Sequence, residues 1–169
     1  MARDLPRWVI ADTHFLLPDL SRRPADADRR LEAGWRRLVG PGDEVLHLGD
    51  VAGQNVDGLA PLLGRLPGRV TLVPGNWDGD NELDVCRQAG WELREPFSLL
   101  FGDWVLDFTH EPVEDVSPGV LNVHGHRHPP GDGPLEPTPQ HINVAAPLHD
   151  WAPLELAPLV ARRLASLRG

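Results

Sequence analysis

Seven side chains able to hold a metal ion are spread along this sequence, and each follows a short apolar run. Asp12-Thr13-His14 comes after residues 8–11, Gly49-Asp50 after 45–48, and Gly75-Asn76 after 70–73. His110 closes the run that starts at Trp104, and Gly125-His126-Arg127-His128 follows 121–123. Residues two apart on an extended chain face the same side, so Asp12 is expected to converge with His14, and His126 with His128. Glycine ahead of Asp50 and of Asn76 permits tight turns and close backbone approach. Four imidazoles, two carboxylates and an amide oxygen exceed what one zinc ion takes. They suit two divalent cations that share a bridging carboxylate, and nitrogen–oxygen ligation without sulfur is compatible with Mn, Fe, Zn, Co or Ni, manganese first. Two dications against two carboxylates leave a formal surplus of positive charge. Such a pair, about 3.5–4 Å apart, is suited to clamping the oxygens of a phosphoryl group.

The elements that must position these groups can be read from periodicity. The apolar runs are short and β-branched, which favours strands. Residues 25–39 place Ala27, Leu31, Trp35 and Leu38 at helical spacing with arginines elsewhere. Pro24 suits the first helical position, and Gly40-Pro41-Gly42 ends the helix. A shorter helix is expected over 59–66, closed by Pro67-Gly68, and another starting near Glu82. Strands alternating with helices predict an α/β fold with neighbouring parallel strands. The second half changes character. Residues 97–101 and 104–109 flank Gly102-Asp103, a hairpin signal. Strand-like stretches at 141–144 and 153–156 and a closing helix near 158–167 complete a second sheet packed on the first, within a single domain over 1–169. The Pro/Gly-rich stretch 129–139 reads as a surface loop. Open α/β sheets bind ligands beyond the carboxyl ends of their strands, where the seven groups stand.

Composition removes several alternatives. The 169 residues contain one cysteine and no lysine. Multi-cysteine zinc sites, internal disulfides, Schiff-base lysines and the phosphate-binding P-loop lysine are therefore excluded. Cys86 falls in a helical stretch and reads as a buried small hydrophobe. The formal net charge of -9 argues against broad nucleic-acid clamping. No apolar stretch is long enough to span a bilayer, and the N-terminal residues do not form a secretory signal, so a cytoplasmic location is expected. The sequence leaves the oligomeric state open.

In order and spacing these residues resemble the calcineurin-like metallophosphoesterase superfamily, with motifs D-x-H, G-D, G-N-H-[DE], H and G-H-x-H. They stand here as Asp12-Thr13-His14, Gly49-Asp50, Gly75-Asn76-Trp77-Asp78, His110 and Gly125-His126-Arg127-His128. The resemblance implies a four-layer α/β/β/α sandwich with two packed sheets and a dinuclear site between the sheet edges. It also implies that Asp12, His14, Asp50 and His128 hold one metal, and that Asp50, Asn76, His110 and His126 hold the other. A hydroxide between the ions would then attack phosphorus in line with the leaving oxygen. The expected activity is hydrolysis of phosphodiesters or activated phosphate esters, with a small phosphate ester or nucleotide as substrate. Two other functions use the same features: a non-catalytic protein-binding scaffold on this fold, and a nuclease on single-stranded nucleic acid. Seven filled ligand positions disfavour the first, because clustered carboxylates and imidazoles are costly to bury unpaired. The acidic surface disfavours the second.

The departure from the pattern is Trp77. The resemblance implies a histidine there that protonates the leaving group or steadies phosphoryl oxygens. Indole offers one N–H donor and does not titrate near neutrality. The ring either lines the substrate side, stacking on a base or aromatic leaving group, or packs on a neighbouring loop. Asp78, which would orient the missing histidine, is expected either to accept from the indole N–H or, in preference, to cap the helix starting near Glu82. His47 and His124 lie beside the ligand motifs as substrate-side substitutes for the acid or as structural partners of the ligands. Arg127 sits between two ligands, where a loop would bring it to phosphate. Arg22 and Arg23 are candidates for the pocket rim. His141 and His149 have no motif support and read as core or solvated histidines.

Overall fold

The computed structural model describes residues 5–17, 23–53, 56–129 and 134–168. Four strands form the parallel part of a first sheet: β1 (Trp8–Ile10), β2 (Glu44–His47), β3 (Arg69–Leu72) and β4 (Glu92–Leu93). The late strand β9 (Leu154–Glu155) adds antiparallel to β1, giving the order β4-β3-β2-β1-β9. The second sheet runs β5 (Phe97–Phe101), β6 (Trp104–Phe108), β7 (Val120–His124) and β8 (His141–Asn143). Its first pair is the antiparallel hairpin that Gly102-Asp103 announced, and the other two pairs are parallel. Two mixed sheets with flanking helices make this the expected α/β fold.

Strand alternation divides the apolar side chains between two cores. Trp8 and Ile10 of β1 join Val45, Val70 and Leu72 beneath the helices, with Leu31, Trp35 and Cys86 from the helical side. Val9, Ala11, Leu46 and Val73 point the other way and meet Leu106, Phe108, Leu121, Val123 and Ile142 of the second sheet. Helix α4 (Leu156–Arg168) adds Leu156, Val160 and Leu164, spaced by four, to this second cluster. Burial pushes the Cys86 thiol up to about 12, so it is a packing residue. No helix among the described residues is long and apolar enough to cross a membrane.

Helix α1 (Ala27–Leu38) buries Ala27, Leu31 and Trp35 as the spacing required. Pro24 is not its first residue. Its carbonyl accepts from the Ala27 amide at 2.9 Å, so it closes the turn that precedes the helix. Helix α2 (Leu59–Leu63) is shorter than the apolar pattern suggested, and Arg65 and Leu66 continue it only as turns. Helix α3 (Asp80–Gln88) begins before Glu82. The expected loop over 129–139 is described at 129 and 134–139 only, and there it forms neither helix nor strand.

The two sheets meet at the carboxyl end of β1. The Ala11 amide donates to the Val144 carbonyl at 3.1 Å, and the Ala146 amide donates to the Ala11 carbonyl at 2.8 Å. This link brings the segment after β1 beside the segment after β8, whose Val144 amide donates to the His124 carbonyl at the end of β7 at 2.8 Å, and so joins the first and last motifs.

Candidate metal centre

The chain does not stop being ordered where the strands of the first sheet end. The Asp12 amide donates to Gly49 at 2.9 Å, and His14 donates to the Asp50 carbonyl at 3.0 Å. These segments depart from the extended conformation that alternation assumed. Asp12, His14, Asp50 and His126 all have positive φ, between 44° and 65°. Asp12 and His14 therefore converge through left-handed turns, and simple strand alternation is corrected. A residue with a Cβ in that region costs about 1–3 kcal/mol and persists only where its surroundings hold it. Glycine is needed where the loops touch. A Cβ at Gly75 would lie 2.3 Å from Asp50 Oδ1, and one at Gly49 would lie 2.4 Å from the Gly75 amide nitrogen.

Six of the seven expected ligands fall into two groups, Asp12–His14–His128 and Asp50–His110–His126, each with its ligand atoms within 4.8 Å of one another. The seventh, Asn76, joins the second group, its Oδ1 lying 2.8 Å from His110 Nε2 and 2.9 Å from His126 Nδ1. Asp50 stands between the groups, with Oδ2 at 3.7 Å from His14 Nε2 and 3.5 Å from His110 Nε2.

Each carboxylate has one oxygen fixed and one left over. Asp12 Oδ2 accepts from the His126 amide at 2.8 Å, while Oδ1 is buried with no hydrogen-bond partner among the described residues. Asp50 Oδ1 accepts from the Trp77 amide at 2.9 Å, which leaves Oδ2 to the histidines. The imidazoles repeat the pattern. His110 Nδ1 donates to the Leu48 carbonyl at 2.7 Å and His128 Nδ1 to Pro129 at 3.1 Å, so each turns an Nε2 lone pair inward. With His110 neutral, its Nε2 lone pair converges with those of Asn76 and Asp50, and without a metal a proton on that nitrogen is what they share. A cation answers this arrangement, and the donor set fits a divalent metal. Burial alone would lower His110, but the hydrogen bond and charge of Asp50 outweigh it and hold the imidazole up to about 9. His128 is raised in the same way by Asp12, against burial. For His14 burial wins, and its basicity falls.

Trp77 lies at the open side of the cluster, 44% exposed, with its ring edge-on to His14 at 5.5 Å between centroids. Asp78 does not cap α3, whose N-cap is Gly79 without a side-chain bond. Its carboxylate accepts instead from the backbone amides of Asp50, Val51 and Gly75, each at 2.8 Å. Burial is the main reason its basicity rises, with those amides pulling it back.

His47 and His124 do not line the substrate side, because both are wholly enclosed. Alternation turns His47 under the helices between Trp35 and Trp91, and its Nε2 meets the Thr13 hydroxyl at 3.0 Å. That hydroxyl donates to the Val51 carbonyl at 2.7 Å, so His47 supports the turn carrying Asp12 and His14. His124 donates from Nδ1 to Gly125 at 2.7 Å. Burial pushes His47 down to about 3 and His124 to about 4, so neither is a proton donor near neutrality. Arg127 is half-buried, and its carbonyl accepts from Asn143 at 2.6 Å. Arg23 is no rim residue. Its guanidinium bonds Asp28 at 2.5 Å, reaches the Thr13 carbonyl at 3.4 Å and lies over Trp151. Arg22 lies outside the described residues. His141 is a core histidine, bonded through Nε2 to the Val113 carbonyl, and His149 bonds Asn143.

The two packed sheets and the paired His/Asp groups at their joined edges define a metal-using hydrolase fold. The chain belongs to the calcineurin-like phosphoesterase family, whose profile matches residues 5–156. A protein of unknown function from Aquifex aeolicus has a similar fold, with TM-score 0.69 and 20% identity over 95% of this chain and 97% of that one. A novel archaeal phosphodiesterase gives TM-score 0.49 and 18% identity over 82% and 81% of the two chains. No curated protein matches the sequence.

Proposed function

We propose that this protein hydrolyses phosphodiesters or activated phosphate esters at two divalent cations, manganese first among them. The observation that carries the reading is Asp50 Oδ2, a single free oxygen facing the imidazoles of both ligand groups. Asp12, His14, Asp50 and His128 would hold one cation, and Asp50, Asn76, His110 and His126 the other. Bound there, the cations supply Lewis-acid charge to phosphoryl oxygens and make a nucleophile available from water at neutral pH.

The chain's own residues decide which esters suit the site. Trp77 occupies the position from which the family's histidine would protonate the leaving oxygen, and an indole has no proton to give near neutrality. A positioned general acid typically contributes about 10²–10⁴-fold, so its loss weighs most on leaving groups that are poor anions. Phosphodiesters with acidic leaving alcohols and aryl esters are the favoured class. The half-exposed indole face offers a planar leaving group or base a surface to stack on. Arg127, held between two ligand histidines, would donate to a non-bridging phosphoryl oxygen. The acidic surface favours a small ester or nucleotide over long nucleic acid.

The test is hydrolysis of bis-p-nitrophenyl phosphate by metal-stripped protein with and without Mn²⁺, alongside a count of bound metal. Mn²⁺-dependent turnover with two ions per chain is expected. Protein that binds no metal and shows no metal-stimulated hydrolysis would sink the reading.

A further inference from the structure

With tryptophan at position 77, the carboxylate of Asp78 has no histidine to orient, yet it is half-buried and both its oxygens are engaged. Its Oδ2 accepts from the amides of Asp50 and Gly75, and its Oδ1 from that of Val51. The three donors belong to two loops, one leaving β2 and one leaving β3. Hydrogen bonds to an ionised acceptor are the strong ones, and three on one carboxylate fix both loops against it. The arrangement is reciprocal. Asp78, from the second loop, holds two amides of the first, while Asp50, from the first, accepts from the Trp77 amide of the second.

This exchange determines where Asp50 points. Its φ of 57° is a left-handed conformation, uncommon for a residue with a Cβ although aspartate adopts it more readily than most. Its own N–H is tied to Asp78 and its Oδ1 to Trp77, so only Oδ2 is left, facing His14 and His110.

We infer that Asp78 is a positioning residue that clamps the 50–51 loop to the 75–77 loop and thereby aims the free oxygen of Asp50 between the two ligand groups. The inference rests on the two-cation reading above. It also accounts for an aspartate at this position without a histidine before it.

Amide hydrogen exchange on the metal-free protein and Mn²⁺ titration of Asp78→Asn test it together. In the unmodified protein the amides of Asp50, Val51 and Gly75 exchange slowly, although all three lie beyond the ends of β2 and β3. Asparagine keeps one acceptor and turns an NH₂ toward an amide. Asp78→Asn therefore retains its far-UV circular dichroism but exchanges those amides faster. Its Mn²⁺ affinity falls about 10–100-fold, the range for partners that orient a ligand, and the spin coupling between paired Mn²⁺ ions disappears. Asp84→Asn, at an exposed pair with Arg87 on the same helix, leaves all of these unchanged.

Open-loop exchange at the three amides of the unmodified protein overturns the clamp. So does a folded Asp78→Asn that binds two coupled Mn²⁺ ions with unaltered affinity. If Asp78→Asn does not fold, the exchange rates of the unmodified protein decide. Failure of the parent reading looks different: the unmodified protein itself then binds no Mn²⁺.

Discussion

The indole of Trp77 stands edge-on to the imidazole of His14, with ring centroids 5.5 Å apart and planes at 77°. A non-titrating ring thus borders the first ligand group. Trp77→His should restore a proton donor at this position and raise kcat for alkyl phosphodiesters by at least about tenfold, less than the about 10²–10⁴-fold of a fully positioned general acid. Turnover of p-nitrophenyl esters, whose leaving group needs no proton, should change little. Equal rates for both ester classes before and after the substitution would show that the ring does not occupy the acid's place.

Asp50 and Asp12 are distinguished by how many groups they serve. Asp50 Oδ2 faces both clusters, whereas Asp12 Oδ1 faces His14 and His128 of the first cluster. Asp50→Ala should remove metal from both positions and Asp12→Ala from one, as counted by elemental analysis after dialysis. Equal metal content in the two variants would contradict a bridging role for Asp50.

Gly75 has no room for a side chain, since a Cβ would lie 2.3 Å from Asp50 Oδ1 and 2.6 Å from the Asp50 nitrogen. Gly75→Ala should displace the shared carboxylate and weaken Mn²⁺ binding by about tenfold or more. The cores lie elsewhere, so circular dichroism should be retained. Calorimetric titration with Mn²⁺ checks this directly.

Histidines should give the metal-free protein a stability maximum near pH 6.5. His47 and His124 have folded pKa values lowered to about 3 and about 4 by burial, so unfolding takes up protons below 6.5. Their contribution is present above that pH and is lost as pH falls, by about 2 kcal/mol apiece at pH 5. His110 is raised to about 9, so its contribution is complete below 6.5 and lost as pH rises through 9. Mn²⁺ competes with the His110 proton and should flatten the alkaline limb. Denaturant melts across pH 4.5–9.5, with chelator or with Mn²⁺, measure both slopes. An alkaline limb unaffected by Mn²⁺ would place the cation away from His110.

Much of the fold, and which His and Asp side chains could cluster, was legible in the sequence because both depend on local pattern. Continuous apolar runs marked the two-sided burial of β1 and β2, and Gly102-Asp103 marked the β5–β6 hairpin. Polar residues following each strand marked the candidate ligand positions. Other features had no local signal. Pro24 lies just ahead of α1, because its carbonyl is needed to close a turn, and no propensity separates that from a first helical position. His47 and His124 sit beside the motifs along the chain, yet burial encloses them.

By itself, then, the sequence determined which side chains are available and in what order they leave the strands. Only the tertiary structure decided how they converge. Four ligand residues adopt left-handed backbone, and the carboxylates of Asp12 and Asp50 each spend one oxygen on an amide from another loop. Asp78 caps no helix but joins two loops. The physical reason is common to all three: a carboxylate withdrawn from water takes whichever N–H donors lie within reach, and packing of distant segments puts most of them there.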